Sequence, residues 1–466
     1  MRTRLGDLLP ARREVLRLGG YGLLGAFAEQ ALMPVRARAA GKTNPRGTAR
    51  FAIVIELAGA ISHLDTFDFK ESKGTPQDLD VRPVRNDLYL SYRLFPELSK
   101  EVDKIAIVRS MRSHEVVHFR GQYYTQAGRP LNPAQAAEIP SVGTVVAHEF
   151  ESTRRETDSF PTYIGCNLDT SGCGALSTGF LHPRHSVLDV NLQAGMGGAS
   201  VEGEALQVLE ERYRLLSALD KALQSSRDGR DRRFGSFRDF QASAHRILGD
   251  PRWPKAFQAS KPERERYGEN EVGLACLLAR NLVQADAGTR YIHITHPDWD
   301  HHGNIFEHSV KSNHYLRCNE FDRGMANLLR DLAAAPSPRM TGATLLDETM
   351  VVMVTEFGRT PGALNGRKGR HHYNPAYLSL FAGGGVKGGR ILGKTDTDGA
   401  EVIETGWKYK SMQPRTENVY ATIYSALGID WKKEITNTPS KRAYRYVDLL
   451  GATEIISDDE IADLFV

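Results

Sequence analysis

Five short apolar runs punctuate the chain after residue 50: Phe51–Leu57, Ile105–Val108, Tyr291–Thr295, Met350–Thr355 and Tyr377–Ala382. They are rich in Val, Ile and aromatic residues, contain no Pro, and most carry few polar residues. Continuous apolar character over so few positions predicts strands covered on both faces. Longer segments with apolar residues at helical spacing lie between them, among them Leu206–Leu223, Glu271–Ala285, His314–Ala334 and Glu417–Leu427. This alternation predicts an α/β sandwich, a largely parallel sheet flanked by helices. From Glu151 to Gly268 the chain is richer in Gly, Ser and charge and its strands read weakly. That stretch is read as an insertion or cap on one domain spanning residues 40–466.

The chain has 466 residues, 41% hydrophobic and 25% charged, which is ordinary globular composition. Disordered, collagen-like and disulfide-stapled miniprotein classes are excluded, and no apolar run reaches the roughly 18 residues of a membrane span. With 60 Lys and Arg against 57 acidic residues, the net charge is only +3. A nucleic-acid partner is not expected from so even a balance. The surplus sits at the start, where residues 1–39 hold seven Arg against three acidic residues. Ala11-Arg12-Arg13-Glu14-Val15-Leu16-Arg17 resembles a twin-arginine export signal. A Gly-rich apolar stretch from Leu18 to Leu32 follows it, and then Ala37-Arg38-Ala39 as a cleavage pattern. Residues 1–39 are therefore read as a signal peptide for the twin-arginine export machinery, with a periplasmic or otherwise exported destination. Export would permit disulfides among Cys166, Cys173, Cys276 and Cys318, and Cys166 with Cys173 is the pair closest in sequence.

Each strong strand run abuts a polar cluster. Phe51–Leu57 leads into Ser62-His63-Leu64-Asp65-Thr66-Phe67-Asp68, and Ile105–Val108 into Arg109 through His114 and on to His118. Tyr291–Thr295 ends in His296-Pro297-Asp298-Trp299-Asp300-His301-His302, and Met350–Thr355 in Glu356-Phe357-Gly358-Arg359-Thr360. His371 and His372 stand just before the fifth run. Ligands of open parallel sheets bind outside the carboxyl ends of the strands, and imidazole with carboxylate is a metal-binding donor set. These clusters together predict a metal centre at one sheet edge.

The same clusters resemble the exported bacterial family called domain of unknown function 1501, placed in the alkaline-phosphatase-like superfamily. The resemblance runs from the signal to the C-terminus. It is strongest at residues 62–68, Trp299-Asp300-His301-His302-Gly303-Asn304, Glu356 through Pro361, Gly383 through Gly389 and Ala421 through Gly428. It implies a three-layer α/β/α sandwich and hydrolysis of phosphate or sulfate esters at a divalent metal, with zinc, manganese, calcium or iron as candidates. The superfamily's nucleophile precedes a Thr-Gly-Arg-like turn. That turn is Ala127-Gly128-Arg129 here, which places His118 at the nucleophile position, as a ligand or an unusual nucleophile. Asp300, His302, Glu356 and His372 are the expected ligands, with His63 and Asp65 beside them. Arg359 or Arg112 would grip a small anionic ester.

Two literal motifs are set aside. His114-Glu115-Val116-Val117-His118 matches the zinc-protease pattern but begins just past a strand and lacks a third ligand at that spacing. Gly388 through Thr395 matches a P-loop, yet Asp396-Thr397-Asp398-Gly399 follows where a helix should start. Besides the ester hydrolase, the sequence supports a binding or scaffold protein that kept the fold without a nucleophile.

Overall fold

A computed structural model describes residues 43–85, 87–168, 177–193, 195–196, 204–226, 232–448 and 457–466. Residues 1–39, read from the sequence as an export signal, and Cys173 lie outside the described residues. Eight strands form the central sheet: β1 (Phe51–Leu57), β2 (Ile105–Met111), β3 (Tyr163–Cys166), β4 (Leu188–Val190), β5 (Tyr291–His296), β6 (Thr349–Val354), β7 (Tyr377–Ala382) and β8 (Arg390–Leu392). Their order is β8-β2-β7-β6-β1-β5-β3-β4. Only β7 runs against the others, so the sheet is largely parallel, as the apolar runs predict.

The pleat of β1 shows why the runs are apolar throughout. Phe51, Ile53, Ile55 and Leu57 enter one core with α3 (Glu271–Ala285) and α4 (His314–Ala334). Ala52 and Val54 enter the opposite core with α1 (His118–Ala127), α2 (Val142–Phe150) and α5 (Thr416–Ala426). Both faces of the strand are therefore covered, and the architecture is helices on each side of one sheet. Side-chain caps set helix starts: Asn270 accepts from the Gly273 N–H, and Asn313 from the Leu316 N–H.

Three strands escaped the sequence reading. β3, β4 and β8 have only four, three and three residues, too few to display a period. Two of them lie inside the stretch read as an inserted cap, yet β3 pairs in parallel with β5 in the main sheet. The helices Glu204–Ser226 and Arg232–Gly249 come after them. The pairing of Cys166 with Cys173 falls outside the described residues; among those described, the thiols of Cys166, Cys276 and Cys318 are buried in the core and make no disulfide with one another. The P-loop look-alike is a hairpin, with Lys394–Thr395 pairing antiparallel to Val402–Glu404. No described helix is long and apolar enough to cross a membrane.

Candidate metal centre

The loops that leave β1, β5 and β6 meet above the sheet because two of them can touch. Gly59 has φ +106°, and a Cβ there would lie 2.6 Å from the Asp300 N and 2.8 Å from the Trp299 N. Only glycine permits that approach. It lets the Trp299 N–H donate to the Ala58 carbonyl at 3.1 Å. Beyond Asp298, itself at φ +67°, tight turns place Asp300 and His302 side by side, with the His302 N–H donating to the Asp300 carbonyl at 3.1 Å. The segment carrying His372 is stitched to this turn. The Arg370 N–H donates to the His301 carbonyl at 3.0 Å, and His372 pairs with Arg359 in a two-stranded ribbon.

The fourth contributor is α1. Its first residue is His118, and Gly121 one turn on leaves room for Glu356, since a Cβ would lie 2.8 Å from that of Glu356. Four side chains thus converge: ligand-type atoms of His118, Asp300, His302 and His372 all lie within 4.8 Å of one another. Asp300 Oδ1 stands 3.1 Å from His118 Nε2, 3.1 Å from His302 Nε2 and 3.7 Å from His372 Nε2. His302 Nε2 and His372 Nε2 are 2.8 Å apart. Four ligands about 2 Å from a common tetrahedral ion would be about 3.3 Å apart, so these separations bracket the spacing a bound ion imposes.

Hydrogen bonds behind the rings fix which nitrogens face inward. His118 Nδ1 donates to Glu356 Oε2 at 2.5 Å, and His372 Nδ1 donates to the Val116 carbonyl at 2.5 Å. With these protons held on Nδ1, loss of any proton at Nε2 leaves both lone pairs pointing into the cluster. The His118 Nε2 is buried and makes no well-aligned hydrogen bond, with Asp300 Oδ1 3.1 Å away, an arrangement that an ion between them would satisfy. The residues therefore fit a metal. Electrostatics agree. Burial lowers the pKa of His302 and His372 and keeps them neutral. Burial also opposes charge on His118, but the accepting carboxylates of Asp300 and Glu356 outweigh it and raise that ring to about 9. The two carboxylates thus draw positive charge to this point. Burial alone would raise Asp300, yet His118 and Arg359 bring it well below the usual carboxylate range.

The remaining expected site residues are placed elsewhere or act indirectly. Glu356 is fully buried, holding the His118 Nδ1–H and, through Oε1, the Gly59 N–H at 2.8 Å. It backs the His118 ring and is not among the four converging residues. Arg359 donates to Asp300 at 2.6 Å and to the carbonyls of Ala60, Gly59 and Arg370, and its side chain is 1% exposed. Four of its five N–H groups are held by these partners and the side chain is buried, so it steadies Asp300. Asp65 forms a fully buried pair with Arg370, Nε to Oδ2 at 2.7 Å and Nη2 to Oδ1 at 3.1 Å, and accepts from Ser62. His63 is buried, donating through Nε2 to the Gly399 carbonyl at 3.0 Å. Neither joins the cluster, because the turn carrying them packs its polar groups inward. Arg112 is half-buried near Tyr373 and is not among the four converging residues.

The zinc-protease pattern is also resolved. The helix starts at His118, so His114 does not share it. Glu115 forms an ion pair with Arg120 at 2.7 Å, while His114 meets Arg415 at 2.9 Å. The sequence missed two supports of the centre. The Val116 carbonyl is a backbone group with no sequence signature, and Phe357 packs its ring 5.1 Å from His118 and 4.8 Å from His372.

The model of the family described as protein of unknown function (DUF1501) matches residues 49–456. Among solved structures the chain is similar to a protein in the alkaline phosphatase superfamily from Vibrio parahaemolyticus, at 11% identity and TM-score 0.34, covering 88% of this chain and 76% of that one. It is also similar to the lipoteichoic acid synthase from Listeria monocytogenes, at 8% identity and TM-score 0.39 over 84% and 76%. A third is the phosphonate monoester hydrolase from Silicibacter pomeroyi, at 10% identity and TM-score 0.36 over 82% and 73%. No curated protein matches the chain.

Proposed function

The chain belongs to the DUF1501 family, and from the cluster just described we propose that it is an exported, metal-dependent hydrolase of phosphate or sulfate esters. The observation that carries this reading is the convergence of His118, Asp300, His302 and His372 within 4.8 Å. Three imidazoles with one carboxylate suit zinc, iron or manganese better than calcium, which takes oxygen ligands. A divalent ion held by one carboxylate and three neutral rings leaves a net charge near +1, which favours an anionic ester. Such an ion would supply a polarised ester oxygen and a bound water of lowered pKa.

The protein's own residues then have separate tasks. Glu356 holds the Nδ1 proton of His118, and the Val116 carbonyl holds that of His372, so both rings present Nε2. Arg359 keeps Asp300 ionised and fixed. None of the four converging residues carries a hydroxyl or thiol. Water is therefore the attacking group. Its oxygen bonds to phosphorus or sulfur as the ester oxygen departs and takes up a proton.

The scaffold reading draws on the same absence of a hydroxyl or thiol among the four converging residues. Protein purified from its native host separates the two. Metal content together with turnover of phosphate and sulfate esters, measured before and after chelation, is the test. Metal-dependent turnover is expected. Bound metal without turnover would favour the scaffold, and absence of metal would sink the centre itself.

A further inference from the structure

The lip of the centre is apolar and faces solvent. Val116, Val117 and Phe119 are 43%, 43% and 46% exposed, and they surround His118 in sequence. Isolated exposed apolar residues are unremarkable, but a contiguous set beside a functional cluster marks a binding surface. The rest of α1 behaves differently: Gly121 through Ala127 are all buried. Exposure is thus confined to the turn that carries a ligand. The run is also tied into the centre by its backbone, since the Val116 carbonyl holds His372 and the Val117 carbonyl accepts from the Gly121 N–H at 2.8 Å.

We propose that Val116, Val117 and Phe119 form the subsite for an apolar alcohol portion of the ester, an aryl or short alkyl group. This rests on the hydrolase reading and narrows its substrate class. Beside His118 these three residues are the exposed apolar surface next to the cluster, and the subsite places the rest of a molecule whose phosphorus or sulfur is bound at the four residues against them. From 116 to 119 the only group able to carry charge is His118, which is engaged with Glu356 and Asp300. A charged or sugar-like alcohol would therefore lose water there without gaining partners, whereas an aromatic ring would cover exposed Val and Phe carbons. Four residues of chain span at most about 14 Å, the scale of one ring or a short chain and too small for a lipid surface.

The test uses the full chain loaded with zinc, comparing phenyl phosphate and phenyl sulfate with glycerol phosphate and ethanolamine phosphate. In Val117→Thr with Phe119→Ser, the ratio of kcat/KM for phenyl over polar esters should fall about tenfold, through KM, with zinc content unchanged. Threonine at 117 is a favourable helix cap and serine at 119 is tolerated in a first turn, and Phe119→Leu should restore most of the selectivity. Turnover of these esters with an unchanged ratio would overturn the subsite and leave the hydrolase standing. Lack of turnover of every ester by the zinc-loaded wild type would remove the hydrolase and the subsite together. Cosedimentation with phosphatidylglycerol vesicles that the double variant abolishes, without a change in ester selectivity, would assign the lip to a lipid surface and overturn the proposal.

Discussion

Glu356→Gln tests whether the carboxylate behind His118 sets the metal affinity of the centre. Glu356 accepts from the His118 Nδ1 at 2.5 Å and from the Gly59 N–H at 2.8 Å, and its side chain is fully buried. Glutamine has the same shape and keeps the Gly59 bond through its carbonyl oxygen. Its NH2 group then faces the His118 Nδ1–H, donor against donor. The imidazole relieves this by moving its proton to Nε2, the atom 3.1 Å from Asp300, and so loses the inward lone pair. Outer-sphere partners of metal-bound histidines typically change affinity 10–100-fold, which is about 1.4–2.7 kcal/mol. Zinc affinity measured by competition with a chromophoric chelator at neutral pH should fall by that factor, with the circular-dichroism spectrum retained. Unchanged affinity would refute the placement of His118 Nε2 as a ligand atom. A loss matching that of His302→Ala would instead make Glu356 a ligand in its own right.

Asp65→Asn should destabilise the fold by about 3–5 kcal/mol in denaturant melts, because it strands the buried Arg370 guanidinium, while metal per folded chain stays constant; a loss below about 1 kcal/mol would contradict the buried pair. Burial pushes the Asp65 carboxyl up, but Arg370 wins and holds it below its usual value, so its contribution is present above the unfolded carboxyl pKa of about 4 and is lost as pH falls through the lower folded value. Acidification below about pH 4 should therefore cost the wild type more stability than Asp65→Asn. Export is tested apart from folding: Arg12→Lys with Arg13→Lys should leave the protein in the cytoplasm on fractionation, and unchanged export would refute the address.

The strands and helices legible in the sequence are those long enough to show a period. Phe51–Leu57, Glu271–Ala285 and His314–Ala334 appear with the bounds their patterns give. Leu188–Val190 does not, because three residues with one apolar neighbour on either side of Asp189 read equally well as loop. Its strand character comes from the parallel pairing of Ile164 with Leu188 and Gly165 with Asp189, a tertiary contact that no local window contains. The α1 start is another such case. Glu115 to Gln126 offers no breaker, and the helix begins at His118 only because the preceding residues are drawn out to meet His372 and Asn374, through the Val116 carbonyl and the Ser113 N–H.

The division of the expected ligands into true neighbours and bystanders follows from charge compensation, which the sequence alone cannot assign. Asp65 and Asp300 both sit in strand-end clusters with histidines nearby. Asp65 has a guanidinium on both oxygens and no exposure, so its charge is neutralised by a fixed partner. A second cation there would gain nothing. Asp300 is 43% exposed and shares one oxygen among Arg359 and three imidazoles. Those rings, His118 by giving up its Nε2 proton, can turn lone pairs inward to a metal ion, so a cation there meets a partly exposed carboxylate oxygen and open donors. The two arginines that decide the matter come from positions 359 and 370, flanking the loop that also delivers His372. One loop therefore closes off the Asp65 cluster with Arg370 and completes the Asp300 cluster with His372. Motif spacing reports that these residues occur in order, whereas the choice between pairing and ligation is made by which carboxylate each arginine reaches.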